Sequence, residues 1–424
     1  MNAEALRQSL EALNPADPLY ATQVVDRVLD AAWDANASDV HFRPEAEGLE
    51  LLWRLDGVLH PITVLPRRLS PNIVARLKVL AELLTYRIDI PQEGRIRRRA
   101  TAAEMRLSTF PILHGEKAVV RIFAEPGRFL RLHDLGLPHE VESALSGLLA
   151  ETSGAIVVSG PAGSGKTTTM YACLRELAAR SEARRSLASL EDPIEAAIPG
   201  VAQGQVNLAA GLTLENGLKA LLRQDPEVIA IGEIRDRGTA EVALQAALTG
   251  HLILTTFHAG SACEVIGRLL DMGIEPYAIR SGLLAIVSQR LARRLCDRCA
   301  ITAARAEDRL GLPVARARLP QGCQQCRGTG YAGRIAIAEL IRPAEGDLGP
   351  AILDRADVRR LSEIAGRSGG AGLWDHACTS VEEGLTSPAE IRRILGMNPP
   401  LARRRLGSRT DGGAGESTIS NPHP

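Results

Sequence analysis

Ala155-Ile156-Val157-Val158-Ser159-Gly160-Pro161-Ala162-Gly163-Ser164-Gly165-Lys166-Thr167-Thr168-Thr169-Met170-Tyr171 runs from an apolar stretch through a glycine-rich turn into a helical pattern. Its middle, Gly160 to Thr167, spells G-x-x-x-x-G-K-[ST], and a buried strand before it with a helix after it is the setting that pattern requires. The glycines let successive backbone N–H groups converge on phosphate oxygens, and the helix N-terminus adds its positive end. Lys166 is expected to reach the β- and γ-phosphates, and the Thr167 hydroxyl to ligate Mg²⁺. Only Lys78, Lys117, Lys166 and Lys219 among the 50 basic residues are lysine, so a lysine at this position stands out. A glycine-rich surface turn that binds nothing would not need the flanking strand and helix. The stretch therefore implies a nucleoside triphosphate site made by Gly160, Pro161, Ala162, Gly163, Ser164, Gly165, Lys166, Thr167 and Thr168.

Outward from this loop the texture is alternating. Apolar runs at Ile156–Ser159, Arg185–Leu190, Val228–Ile231 and Leu252–Thr256 are separated by helical patterns, which predicts a mostly parallel sheet covered on both faces. Upstream, residues 1–36 read as one or two amphipathic helices. Leu49–Leu55 and Val58-Leu59 flank Asp56-Gly57, a hairpin signal. Ile73–Leu84 has helical period, and Met105–Phe110 and Ala118–Phe123 are two further strands around Gly115. Residues 37–130 thus form an α+β unit, joined through Leu132–Pro138 to a unit spanning 131–396. Residues 350–396 look helical, and 397–424 read as a disordered tail.

The 424 residues are two to three domains by length, with 45% hydrophobic residues but only 3% aromatic, so aliphatic side chains must fill the cores. Fifty acidic residues balance the fifty basic ones, which argues against a surface built to hold nucleic acid. The charge is uneven, with fourteen basic against six acidic residues from Arg67 to Arg131. No apolar run approaches the roughly 18–20 residues of a membrane span, and the N-terminus lacks a signal pattern. A cytoplasmic location follows as the expectation, with the seven cysteines reduced or metal-bound.

Two carboxylate clusters follow the P-loop. Val228-Ile229-Ala230-Ile231-Gly232-Glu233 delivers Glu233 at the carboxyl end of a buried strand, where it can order or deprotonate an attacking water. Glu191-Asp192-Pro193-Ile194-Glu195 follows another strand end. His258 leaves the Leu252–Thr256 strand on the same side, where a hydrogen bond to the γ-phosphate would report hydrolysis. Cys296-x₂-Cys299 and Cys323-x₂-Cys326, 23 residues apart, form two knuckles with tetrahedral zinc spacing. Four thiolates leave no open position, so such zinc would be structural. A redox pair and a nucleic-acid-binding zinc ribbon are the competing readings of these cysteines.

These motifs, in this order, resemble the traffic ATPases of type II secretion and type IV pilus assembly. Ala37-Ser38-Asp39-Val40-His41, Asp56-Gly57-Val58, Pro91–Ile96, Met105–Thr109 and His114–Lys117 are similar to their ancillary domain. The P-loop, the "Asp box" Glu191-Asp192-Pro193, Leu221–Glu227, Gly232–Asp236 through Ala246–His251, and the "His box" His258 resemble their motor. Cys323 through Arg334 resembles the tetracysteine segment of extension-type members. Arg43 departs from a common glutamate, and Phe257 and Ala259 are variants beside an intact histidine.

The resemblance implies an α/β fold with a RecA-like P-loop ATPase core, an N-terminal α+β ancillary domain and a zinc-bound tetracysteine module at about 292–334. It implies ATP, Mg²⁺ and structural Zn²⁺ as cofactors. A homo-hexameric ring would sit peripherally on inner-membrane secretion platform proteins, with no membrane span and no nucleic acid. The short N-terminal portion leaves little room for the extra docking domain many members carry. In the implied site Glu233 positions water, Glu191 assists at the metal–water position, His258 senses γ-phosphate, and Arg95 and Arg106 are drawn to the triphosphate. Pseudopilus assembly for protein export is the expected task. A type IV pilus extension ATPase, a DNA-translocating zinc-ribbon ATPase and a non-motor nucleotide-binding regulator are the alternatives.

Overall fold

The computed structural model describes residues 3–97, 104–122, 131–179, 185–367 and 370–397. Residues 398–424 of the proposed 397–424 tail and the proposed boundary near residue 130 lie outside the described residues.

The first part builds α1 (Ala3–Glu11), α2 (Tyr20–Asp34), β1 (Asp39–Pro44), β2 (Gly48–Leu55), β3 (Val58–Pro66), α3 (Ser70–Leu80), β4 (Gln92–Arg97), β5 (Glu104–Ile112) and β6 (Gly115–Ile122). The strands form one antiparallel sheet in the order β3-β2-β1-β6-β5-β4. The β2–β3 hairpin turns on Asp56 (φ 47°) and Gly57 (φ 84°), both left-handed, as a two-residue hairpin demands. Leu6, Val24, Val28, Phe42, Trp53 and Leu77 share one core beneath it. The helix expected over Ile73–Leu84 stops at Leu80, because Glu82 takes a left-handed conformation (φ 57°) that ends the helical hydrogen bonds. The fully buried Lys78 pairs with Glu116 at 2.6 Å and donates to the Arg87 carbonyl at 2.7 Å, pinning α3 to β6.

The second part begins with a 3₁₀ turn at Leu132–Leu135, where a plain linker was expected. There follow α4 (His139–Leu148), β7 (Gly154–Ser159), α5 (Lys166–Ala179), β8 (Leu187–Glu191), β9 (Ala202–Gln205), α6 (Leu214–Leu221) and β10 (Val228–Ile231). Next come α7 (Arg237–Leu248), β11 (Leu252–Phe257), α8 (Ala262–Asp271), α9 (Pro276–Gly282), β12 (Leu283–Leu295), β13 (Ile301–Thr302), β14 (Arg318–Leu319) and β15 (Tyr331–Ile341). The chain closes with α10 (Leu348–Leu353), α11 (Val358–Arg367), α12 (Leu373–Glu382) and α13 (Pro388–Leu395).

The sheet order is β15-β12-β7-β11-β10-β8-β9, parallel from β12 to β9 with β15 antiparallel at the edge. Every residue of β7, β10 and β11 is buried, which is why these strands read as unbroken apolar runs. One core lies on each face of this sheet. Asp236 and Ser261 cap α7 and α8 by accepting from the backbone N–H three residues on. At the far end, buried Glu390 binds Arg293 at 2.9 Å and Arg393 at 2.5 Å, fixing α13 to β12. The two parts touch where the Arg327 guanidinium donates to the Ala35 carbonyl at 2.8 Å and the Gly333 N–H to Asp56 at 3.2 Å.

Among the described residues, no helix is long and apolar enough to cross a membrane.

Candidate active site

Strand β7 ends at Ser159, and residues 160–165 turn the chain into α5. A side chain on Gly160 would meet Ser164 Oγ at 2.4 Å and the Gln289 carbonyl oxygen at 2.5 Å. Gly165 has φ +88°, a conformation glycine adopts without strain. The Lys166 ammonium curls into the loop, donating to the carbonyls of Gly160 (3.0 Å) and Pro161 (3.1 Å). Thr167 and Thr168 follow in the first helical turn. The expected loop and its expected strand–helix setting are thus both present.

The parallel sheet brings two more of the predicted groups to the same end. Glu233 follows β10 and His258 follows β11, and the two strands are neighbours. Thr256 Oγ1 donates to the Gly232 carbonyl at 2.7 Å and the Ile234 N–H to the Thr256 carbonyl at 3.1 Å, so the two strand ends are tied together. His258 Nε2 lies 3.4 Å from Glu233 Oε1 and 3.5 Å from Lys166 Nζ. Glu233 Oε2 also accepts from Arg235 at 3.0 Å. Desolvation lowers the Lys166 ammonium below its ordinary value, against the pull of Glu233. Desolvation and then Lys166 hold the His258 imidazole below its ordinary value, again opposed by Glu233. Cation, imidazole and carboxylate therefore form a short chain over the phosphate loop.

Glu191 is buried and sits one strand further along, with its carboxylate bonded by three donors: Tyr171, Ser189 at 2.6 Å and Gln203 at 3.1 Å. Glu195, noted in the sequence but given no role there, lies close enough to Thr167 for that residue to act on its carboxyl. Desolvation and then Glu191 hold its carboxyl above the ordinary range, while Thr167, Arg121 and Arg106 act the other way. A carboxylate near Thr167, with a second carboxylate close enough to act on it, offers hard oxygen donors beside the threonine hydroxyl, and the set fits Mg²⁺.

The arginines come from the first sheet. Its register aligns Arg54, Asp39, Arg121, Arg106 and Arg95 as successive cross-strand partners from β2 to β4. Directly opposed residues share a face, so the row is continuous, and Asp39 ties Arg54 (3.3 Å) to Arg121 (3.1 Å). Arg106 and Arg121 are the two of this row that act on Glu195. Arg95 lies one strand beyond. Arg121 was missed in the sequence because nothing there sets the strand register.

Gln289 was missed as well. This buried β12 residue donates to the Ser164 carbonyl at 2.6 Å and accepts from Thr169 Oγ1 at 2.9 Å, holding the loop and the first turn of α5 together. The next residue, Arg290, donates to the Gly260 carbonyl at 2.6 Å and so braces the turn after His258.

Strand β12 continues from Gln289 to Leu295 and delivers Cys296 to the cysteine module. Sγ atoms of Cys296, Cys299, Cys323 and Cys326 all lie within 4.8 Å of one another. Backbone N–H groups of Gly322, Cys323 and Gly330 point at Cys299 and Cys326 sulfurs at 3.1–3.3 Å. Desolvation raises the Cys326 thiol, yet the amides of Cys323 and Gly330 together with the neighbouring Cys299 and Cys323 thiols bring it down to about 6. Four convergent sulfurs with amide donors fit one tetrahedral zinc ion.

The family model described as "Type II/IV secretion system protein" matches residues 16–393. The type II secretion system protein E of Klebsiella pneumoniae is 41% identical over 348 residues, 80% of this chain and 69% of that one. The type IV pilus assembly ATPase PilB of Thermus thermophilus is 37% identical over 385 residues, 88% of this chain. This chain spans less than half of that relative's length, 43%. Among solved structures, the Legionella pneumophila ATPase DotB aligns with a TM-score of 0.64 at 21% identity, covering 91% of this chain and 98% of that one, a likeness of fold.

Proposed function

This chain belongs to the Type II/IV secretion system protein family, and from that membership we propose that it is an ATP-hydrolysing motor of a secretion or pilus machine. The observation that carries the reading is the Lys166–His258–Glu233 chain, closed within 3.5 Å above a complete phosphate loop. In this reading the loop amides and Lys166 bind the β- and γ-phosphates. Thr167 would hold Mg²⁺, which when bound would supply charge neutralisation to the phosphates. Glu233 orients the attacking water and takes its proton, and Glu191 assists on the metal side through the network that holds it. His258 donates to the γ-phosphate while that group is present and falls back to Glu233 when it leaves.

The arginine row gives the first sheet its part. Arg106, and Arg121 beside it, would leave Glu195 for the developing phosphate charge as the two sheets approach, with Arg95 reinforcing the row. Coupling of that approach to a homo-hexameric ring at an inner-membrane platform would drive pseudopilus assembly in type II secretion. Type IV pilus extension remains the second reading, supported by the identity with the Thermus pilus assembly ATPase. Phosphate release by the purified chain with MgATP tests the enzyme, and Lys166→Ala should abolish it. Restoring secretion, rather than piliation, in a strain lacking the gene separates the two machines.

A further inference from the structure

Tyr171 stands one helical turn after Thr167 on α5 and is buried, 4% exposed. A phenylalanine would fill the same space, so its hydroxyl is not required for packing. That hydroxyl nevertheless has three partners. It donates to Glu191 Oε2 and accepts the backbone N–H groups of Glu195 (3.1 Å) and Ala196 (3.4 Å). Burial and then the Glu191 carboxylate raise the phenol far above its ordinary range, so it stays a donor. The segment after β8 is closed on itself by Gln203, which donates to Glu191 (3.1 Å) and the Ala196 carbonyl (3.1 Å) and accepts from the Ile198 N–H (2.7 Å). One phenol oxygen therefore joins this closed segment to the helix that carries Thr167. It holds the carboxylate of Glu191 and the backbone of Glu195 at once.

We infer that Tyr171 is a positioning residue for the magnesium side of the site: its hydroxyl keeps the Glu191 and Glu195 carboxylates in register with the Thr167 hydroxyl. The inference rests on the triphosphate reading above. It touches neither phosphate nor the Lys166–His258–Glu233 chain, so its loss should spare whatever nucleotide binding needs no metal. Outer partners of metal-side groups typically change metal affinity or activity by about 10–100-fold when removed.

The test is equilibrium binding of a fluorescent ATP analogue to the full chain, with and without Mg²⁺, for wild type and Tyr171→Phe. Metal-free affinity should stay within about twofold, which also certifies the fold of the variant. The gain in affinity on adding Mg²⁺ should shrink about tenfold, and the Mg²⁺ concentration for half-maximal phosphate release should rise by a similar factor. A Mg²⁺ gain equal to that of wild type overturns the inference. So does an equal loss with and without metal, which would mark the hydroxyl as structural only. A wild-type chain that binds no ATP analogue at all would instead overturn the triphosphate reading beneath it.

Discussion

The side-chain amide of Gln289 donates to the backbone carbonyl of Ser164 across 2.6 Å, between residues 125 apart in sequence. Strand β12 thereby grips the middle of the phosphate loop, and the same strand runs on into the cysteine module. From Gln289 to Cys296 is roughly 23 Å of extended chain, so loop and module lie along one strand.

Gln289→Leu is predicted to weaken nucleotide binding about tenfold. The substitution keeps the volume but leaves the Ser164 carbonyl and the Thr169 hydroxyl buried without this partner, at about 1–3 kcal/mol per group. Isothermal titration with the nucleotide checks this, and an unchanged Kd would show that the loop holds its shape without β12.

The His258 imidazole is held below its ordinary value of 6.5 in the folded chain. Below about pH 6.5 the unfolded chain therefore binds more protons than the folded one, and stability falls with pH through that window. Wild type should lose more stability than His258→Gln between about pH 7.5 and about pH 5.5, as measured by urea unfolding. Parallel losses would mean that the environment of His258 does not hold it neutral.

The cysteine quartet is predicted to bind about one zinc ion per chain. Elemental analysis of the purified protein should find it, and Cys323→Ser should lose the metal and lower the melting temperature. A wild-type chain free of zinc with disulfide-linked cysteines would favour the redox reading.

Lys78→Met leaves Glu116 buried beside an apolar chain. Breaking a buried pair in this way costs about 3–5 kcal/mol, so the midpoint of chemical unfolding should fall sharply. A change below about 1 kcal/mol would mean that the Glu116 carboxylate finds water or another donor.

Much of the site was legible because its signals are local. The P-loop is a continuous pattern whose glycines meet real steric limits, and Glu233 and His258 each follow an apolar run that could only be a buried strand. Parallel pairing of those two strands then sets them side by side. Tyr171, Gln289 and Arg121 were not legible for one shared reason: each acquires its role from a partner distant in sequence. Tyr171 reads as one more residue of the helical pattern after the loop, and Gln289 falls in a stretch, Leu283–Leu295, where no strand was expected. Arg121 reads as an exposed strand residue until the register aligns it with Arg106 and Asp39. The overrun of the third helix has the opposite cause. Leu83 and Leu84 continue the helical period, yet the backbone reverses at Glu82, and apolar spacing does not report a left-handed residue.

The account stands most directly on phosphate release from MgATP by wild type and Glu233→Gln, read beside nucleotide binding by both. The prediction is turnover by wild type and a loss of about 100-fold or more in the variant, with nucleotide affinity retained. Wild-type-like phosphate release from Glu233→Gln would contradict the assignment of Glu233 as the group that activates water.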